Sequence, residues 1–412
     1  MAAAGGCVAS LAVTLWPQWS QQLPWQTTRI AKAAARSATI PTAENNSVHT
    51  DDAPLGDINP KEAPHLDGTT SPPLQSDATA REHQIPHPAS RSRTDVFHTE
   101  ADGTLILTAD RPIHLEQLSV SPGQLVTGRS GTRPQVIVPD DGLSIDADQV
   151  RFRGIDFLTN PSRRHSTGTM IRLNVEQAEF SGCRFRGVAG GTTVAIDWKI
   201  ITNNSAIDLP TGRLDLRNCI FGNLAMGVRC PSKAALTLSI VNTLHLGWGP
   251  LITLHDLPRA DAPVSVLVDR LTLRDAESFL ECPLNSDVST AAPITIEAVR
   301  SIFAQRPGNP LVVFVGPKPS EEPWHIVQWG GQGTVLDSPL PLVGWRSETG
   351  QVIAADETRL NVSGVVRGNV EFAGPTARGP AGSRVVGWNA PLRSPEAPGF
   401  DPTTLVPHLP GH

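Results

Sequence analysis

The chain has 412 residues, 18% of them charged and 39% hydrophobic, with a formal net charge of −6. The positive charges are mostly isolated Arg, with no Lys/Arg cluster, which argues against nucleic acid as the main partner. Apolar periodicity begins only after about residue 100, so the composition supports one elongated domain with a packed core, although the length would suffice for two or three.

Ala2 to Trp16 carries no charge and ends at Pro17, followed by Trp19 and Trp25, residues suited to a membrane interface. Fifteen residues are short for a bilayer span, no basic residue precedes the apolar run, and the segment ending at Cys7 lacks the Leu of a lipoprotein cleavage box. Residues 1–17 are expected to be a membrane or export element, such as the remnant of a longer helix, with a disordered apolar terminus as the alternative. Residues 18–100 are rich in Pro, Ser, Thr, Asp and His and bury too little to offset their ordering entropy; a disordered linker is expected. The scattered His49, His65, His83 and His87 read as solvated spacer residues, not metal ligands.

From residue 101 a degenerate eight-residue pattern recurs, apolar-x-apolar-x-(Gly/Asn/Arg)-apolar-x-aromatic. Its clearest copies are Val150-Phe152-Gly154-Ile155-Phe157, Ala178-Phe180-Gly182-Cys183-Phe185 and Leu214-Leu216-Asn218-Cys219-Phe221. Leu238-Ile240-Asn242-Thr243-His245, Val266-Val268-Arg270-Leu271-Leu273 and Ile296-Ala298-Arg300-Ser301-Phe303 follow, and Ile113-Leu115-Gln117-Leu118-Val120 precedes them. Successive copies are 24 to 37 residues apart, the length of a stacked supersecondary unit. Apolar residues at i, i+2 share one face of a strand, and the shift to an offset of three requires one residue that breaks the alternation and bends the chain. A helix would need spacings of three and four. Of the apolar slots only Thr243, His245 and Ser301 are not apolar. The pattern therefore predicts a β-solenoid over residues 101–345, with like residues stacked into continuous interior columns.

Beyond this, Trp324-Ile326-Gln328-Trp329 and Leu360-Val362-Gly364-Val365 fit the first half of the pattern, so residues 346–390 are expected to form terminal coils or a cap covering open strand edges. Residues 391–412 carry six prolines and read as a disordered tail. Among Cys7, Cys183, Cys219, Cys230 and Cys282 no CxxC or zinc-ligand spacing occurs, and Cys183 and Cys219, in one column, read as stacked buried thiols.

The repeat resembles that of right-handed parallel β-helix proteins, the architecture of pectate lyases, polygalacturonases and many bacterial surface proteins. The resemblance covers residues 101 to 345 and rests on packing, not catalytic, residues. Polygalacturonase-like hydrolases carry Asn-Thr-Asp, Asp-Asp, Gly-His-Gly and Arg-Ile-Lys motifs; here only Asp140-Asp141 occurs, and with Gly142 it reads as a turn. Pectate lyase-like enzymes need clustered carboxylates and a basic residue. Asp197, Asp215 and Asp269 with Lys199, Arg217 or Arg270 supply the residue types, but nothing in their spacing requires a cluster, and solvated outer-face charge is the favoured reading. The layout is also similar to the extracytoplasmic region of bacterial membrane serine/threonine kinases, without the kinase domain: Val194-Ala195-Ile196-Asp197 lacks the Lys of the Val-Ala-Ile-Lys signature, and the other kinase motifs are missing.

His245 stands in a slot that is Phe in four other copies, and a register shift turning Leu244 or Leu246 inward is the expected explanation. His255-Asp256, after Trp248 and Pro250, has the chemistry of an acid/base pair but reads first as a loop. Trp198, Trp248, Trp324 and Trp329 are expected mostly to fill the coils, with stacking on sugar rings as their alternative use. The candidate binding residues are thus Trp198, Trp248, His255, Asp256, Trp324 and Trp329; no catalytic set, metal or cofactor is implied. The expected function is non-enzymatic, a surface or exported domain that binds polysaccharide or protein or serves as a receptor stalk; the alternative is a lyase or hydrolase acting on an acidic polysaccharide. A 60-residue spacer has an r.m.s. reach of roughly 40 Å, which fits a domain held outside the cytoplasmic membrane, tethered through its N-terminus or secreted.

Overall fold

A computed structural model describes residues 96–108, 111–115, 118–160, 167–200, 209–285, 287–319, 321–337, 339–390 and 397–405, all within the compact unit Pro86–His412. The apolar start, nearly all of the linker with its four histidines, Cys7, and residues 391–396 and 406–412 of the tail lie outside the described residues. The described chain winds into a right-handed parallel β-solenoid with three sheets. In one representative turn Gln177–Ser181 lies in the first sheet, Arg184–Arg186 in the second and Thr192–Lys199 in the third. Each strand pairs in parallel with its counterparts in the turns below and above, so Phe180 lies between Phe152 and Leu216, and Phe185 between Phe157 and Phe221.

The residue expected to bend the chain does so in every described copy. Gly154 and Gly182 (φ 65°), Asn218 (54°), Asn242 (46°), Arg270 (57°) and Arg300 (47°) all take the left-handed conformation, turning the chain from the first sheet into the second. That conformation costs a residue other than glycine about 1–2 kcal/mol. Arg300 offsets it with a bidentate pair to Asp269 one turn below, Nε–Oδ1 3.0 Å and Nη2–Oδ2 2.6 Å. Asn242 donates to the Asn218 side chain at 2.8 Å.

Inside, Phe157, Phe185 and Phe221 stack at 5.3 and 4.8 Å with rings 14° and 10° from parallel, beside Phe152 on Phe180 at 5.0 Å. Cys183 and Cys219 are buried free thiols in one column, and burial raises that of Cys183 to about 12. Thr243 and Ser301 keep their inward slots by bonding backbone carbonyls, Val241 O at 3.1 Å and Val299 O at 2.8 Å. Asp140-Asp141-Gly142 is a turn, closed by Gly142 N to Pro139 O at 3.0 Å.

Five expectations are corrected. His245 follows no register slip: it pairs with Phe221 and lies fully buried in the aromatic column, its Nε2 3.0 Å from Gly249 O, while Leu244 and Leu246 are buried on the opposite, outer face. Slippage is unnecessary because both faces of this strand are covered. Ile113 belongs to the second sheet, paired with Val136, so Ile113–Val120 is not a unit in the common register. The overlooked turn runs through Leu125–Gly128 and Gln135–Val138, joined by a loop where later turns bend at one residue. The turn assigned to Trp324–Trp329 lies five residues later, with Val327–Gln332 in the first sheet and its bend at Gly333 (φ 66°). Phe97–Thr99, inside the span read as linker, pairs antiparallel with Leu105–Leu107. Residues 397–405, inside the supposed tail, are docked: Phe400 is buried against Ile220, Leu244 and Leu246, an apolar anchor that composition alone conceals.

The third sheet holds a strand in each complete turn, and the loops on either side of it vary in length. Those loops produce the uneven spacing of the sequence pattern. Beyond Val343–Arg346, Val352–Ala354 adds antiparallel to the third sheet. Val365–Phe372 and Val385–Asn389 form an antiparallel pair, whose Val370, Phe372 and Val385 cover Ile302, Ala304 and Val335 on the outside of the second sheet. No described helix is long and apolar enough to cross a membrane.

Candidate functional site on the third sheet

Strands of the third sheet turn alternate residues outward, and register aligns those of successive turns. Arg172, Asp197, Arg229, Thr253 and Glu281 form one outer column, each pairing with the next. Each of the last four sits between inward apolar residues: Ile196 and Trp198, Val228 and Cys230, Ile252 and Leu254, Leu280 and Cys282. At about 4.8 Å per strand the column is a ladder of polar groups along the solenoid axis.

Two of its members are buried, each with an oxygen that has no hydrogen-bond partner. Asp197 is 7% exposed and its Oδ1 makes no hydrogen bond; Thr253 is 5% exposed and its Oγ1 makes none either. Two basic side chains approach Asp197 Oδ1 beyond hydrogen-bond distance, Arg229 Nη1 at 4.0 Å and His255 Nε2 at 3.8 Å. A buried polar group without a partner costs about 1–3 kcal/mol. His255 stands at the rim, its side chain 43% exposed. Burial lowers its pKa, and Arg229 and Lys199 add to that effect against the pull of Asp197, so the imidazole is neutral at pH 7. Further along, Arg346 bridges Glu277 and Glu281. Burial still raises the Glu281 carboxyl above its ordinary value, with Glu277 adding and Arg346 opposing.

The arrangement thus offers two acceptor oxygens, a neutral imidazole and the partly exposed guanidinium of Arg229. Hydroxyl groups complement all four. Among the described residues no group of three or more His, Cys, Asp or Glu side chains is placed to hold a metal ion.

Of the sequence candidates, only His255 enters this cluster, and its acidic neighbour there is Asp197, not Asp256. Asp256 instead accepts from the backbone N–H of Leu257 (2.8 Å) and Asn285 (3.1 Å), fixing the loop that leaves the sheet. Trp198 is fully buried, its indole donating to Val175 O at 2.8 Å, and Trp329 packs inside against Phe279 and Phe303, so neither can stack on an external ligand. Trp324 is half-buried and donates to Glu322 at 3.0 Å. Trp248 is 51% exposed on the bend leading into Ile252–Leu254, with the Arg306 guanidinium 4.7 Å from its ring centroid.

The acidic set of the sequence is dispersed. Asp197 and Lys199 belong to the third sheet, whereas Asp215 pairs with Arg213 on the first and Asp269 with Arg300 at its edge. Arg229, Thr253, Glu281 and Arg346 escaped the sequence reading. Their signal is an apolar-polar-apolar triplet whose centre recurs at 197, 229, 253 and 281, visible once a third strand per turn is sought.

Fold and site together define a right-handed parallel β-solenoid with a partly buried polar ladder on one outer face. Comparison with protein-family models, curated proteins and solved structures gives no match.

Proposed function

We propose that the chain is a non-enzymatic binding domain held outside the cytoplasmic membrane, and that its ligand is a polysaccharide lying along the outer face of the third sheet. The observation that carries this reading is the pair of buried oxygens without a hydrogen bond, Asp197 Oδ1 and Thr253 Oγ1. Their strands are two steps apart, about 10 Å, so one ligand reaching both must present polar groups over more than a single ring. Hydroxyls donating to the two oxygens would remove their desolvation penalty, which is how a site built for hydrogen bonds discriminates against ligands lacking them. Arg229 and neutral His255 add a donor and a rim contact, and Trp248 offers an exposed indole in the same turn as Thr253. The second sheet is the poorer candidate, since the chain's own segments cover it.

Binding to an immobilised panel of neutral and uronic-acid polysaccharides tests this directly. At least one polymer should bind the full chain, and Asp197→Ala and Thr253→Val should each weaken it at least tenfold with the circular-dichroism spectrum unchanged. No binding across the panel, or binding indifferent to both substitutions, overturns the reading. A lyase or hydrolase acting on acidic polysaccharide is the second reading, favoured by the neutral imidazole 3.8 Å from a carboxylate with a guanidinium beside them. Product formation abolished by His255→Ala would place that reading first.

A further inference from the structure

The bends between the first and second sheets do more than turn the chain: two of them, at Asn242 and Arg300, and the second-sheet strand that starts at Thr272 bind it again. Gly399, Phe400 and Asp401 run along the solenoid axis, and each backbone N–H is taken by a different turn. Gly399 N donates to Arg300 O at 2.6 Å, Phe400 N to Thr272 Oγ1 at 2.8 Å and Asp401 N to Asn242 Oδ1 at 2.7 Å. Asn242 also donates from Nδ2 to Asp401 O at 3.1 Å, so its amide reads both main-chain groups of one residue.

Specificity comes from two neighbours. A Cβ on Gly399 would lie 2.6 Å from Thr272 Oγ1 and 2.9 Å from Ile302 Cδ1, and its φ of 88° suits glycine alone. The Phe400 ring fills the pocket of Ile220, Leu244 and Leu246. Asp401 then closes the following turn, accepting from Thr403 N at 2.9 Å and Thr403 Oγ1 at 2.7 Å.

We infer that this groove is a peptide-docking track for a Gly-Phe-Asp segment, and that the 397–405 segment of a second copy of the chain occupies it in trans when the local segment leaves. Backbone capture at successive turns with one aromatic anchor is the recognition logic of an extended peptide laid on a preformed surface. The segment whose complementarity is demonstrated is the chain's own, and every copy carries it. The Phe400 anchor rests on an outer cluster distinct from the interior core, so an exchange of the segment would leave that core intact.

The test uses full-length chains and a fluorescent peptide of residues 397–405. Phe400→Ala leaves the groove intact and its own segment without an anchor; it should bind the peptide saturably, at least tenfold more tightly than the wild-type chain does. A peptide with Gly399→Ala, or a chain carrying Asn242→Gly and Thr272→Val beside Phe400→Ala, should lower affinity at least tenfold. The Asn242→Gly change keeps the left-handed bend. Mixing the Phe400→Ala chain with an Asn242→Gly/Thr272→Val chain should give a heterodimer by analytical ultracentrifugation, while each alone stays monomeric. A Phe400→Ala chain that melts cooperatively yet ignores the peptide overturns the track. Peptide binding without heterodimer overturns the second copy as its occupant.

Discussion

Below pH 6.5 His245 should make the solenoid acid-labile in a way that one substitution removes. The ring occupies an aromatic slot, 6.2 Å from Phe221, with Nε2 donating to Gly249 O at 3.0 Å and Nδ1 unpartnered. Burial pushes its pKa from 6.5 down to about 4. In the unfolded chain the imidazole takes up a proton as pH falls through 6.5, whereas the folded chain resists until about 4. The stability His245 contributes above pH 6.5 is therefore lost progressively across that window. Each pKa unit between the two states corresponds to about 1.4 kcal/mol, giving roughly 2.5 kcal/mol of lost stability at pH 4.5. His245→Phe extends the Phe157–Phe185–Phe221 stack and deletes the titration. It leaves Gly249 O without a donor, so its stability at pH 7 should change by no more than about 1–3 kcal/mol. Urea unfolding of both chains at pH 7.0, 5.5 and 4.5 isolates the effect, because all the other titratable groups are common to both. The wild type should lose about 2.5 kcal/mol more than the variant between pH 7.0 and 4.5. Parallel losses, within about 0.5 kcal/mol, would refute a buried neutral imidazole at this slot.

Phe185→Asp should be among the most damaging single changes, since it places an unpaired carboxylate between the Phe157 and Phe221 rings. The expected loss exceeds the roughly 3–5 kcal/mol of a Phe truncation, read as absent or non-cooperative unfolding, and a well-folded variant would contradict the stacking. Protease added to intact cells should cut the segment before residue 96 and shed a compact fragment that retains the strand Phe97–Thr99; protection until lysis would refute the proposed extracytoplasmic location.

The sequence by itself determined the repeating strand–bend–strand unit. Its apolar offsets and its Gly, Asn and Arg bend residues arise from local rules, alternation within a strand and left-handed conformation at one position, and they place Phe152, Phe157, Phe180, Phe185 and Phe221 inside. What it left open were the relations between turns. The third strand stayed hidden because loops of varying length separate it from the bend, so no fixed spacing marks it, and with it went the column Asp197–Arg229–Thr253–Glu281. Sequence adjacency joined His255 to Asp256; stacking joins it to Asp197, 58 positions earlier by number. Likewise the Pro-rich composition of residues 391–412 hid Phe400, whose pocket exists only where Ile220, Leu244 and Leu246 from two successive turns meet on the outer face. Local backbone preference is written residue by residue, whereas side chains on stacked turns become neighbours through register, and only the assembled sheets decide that.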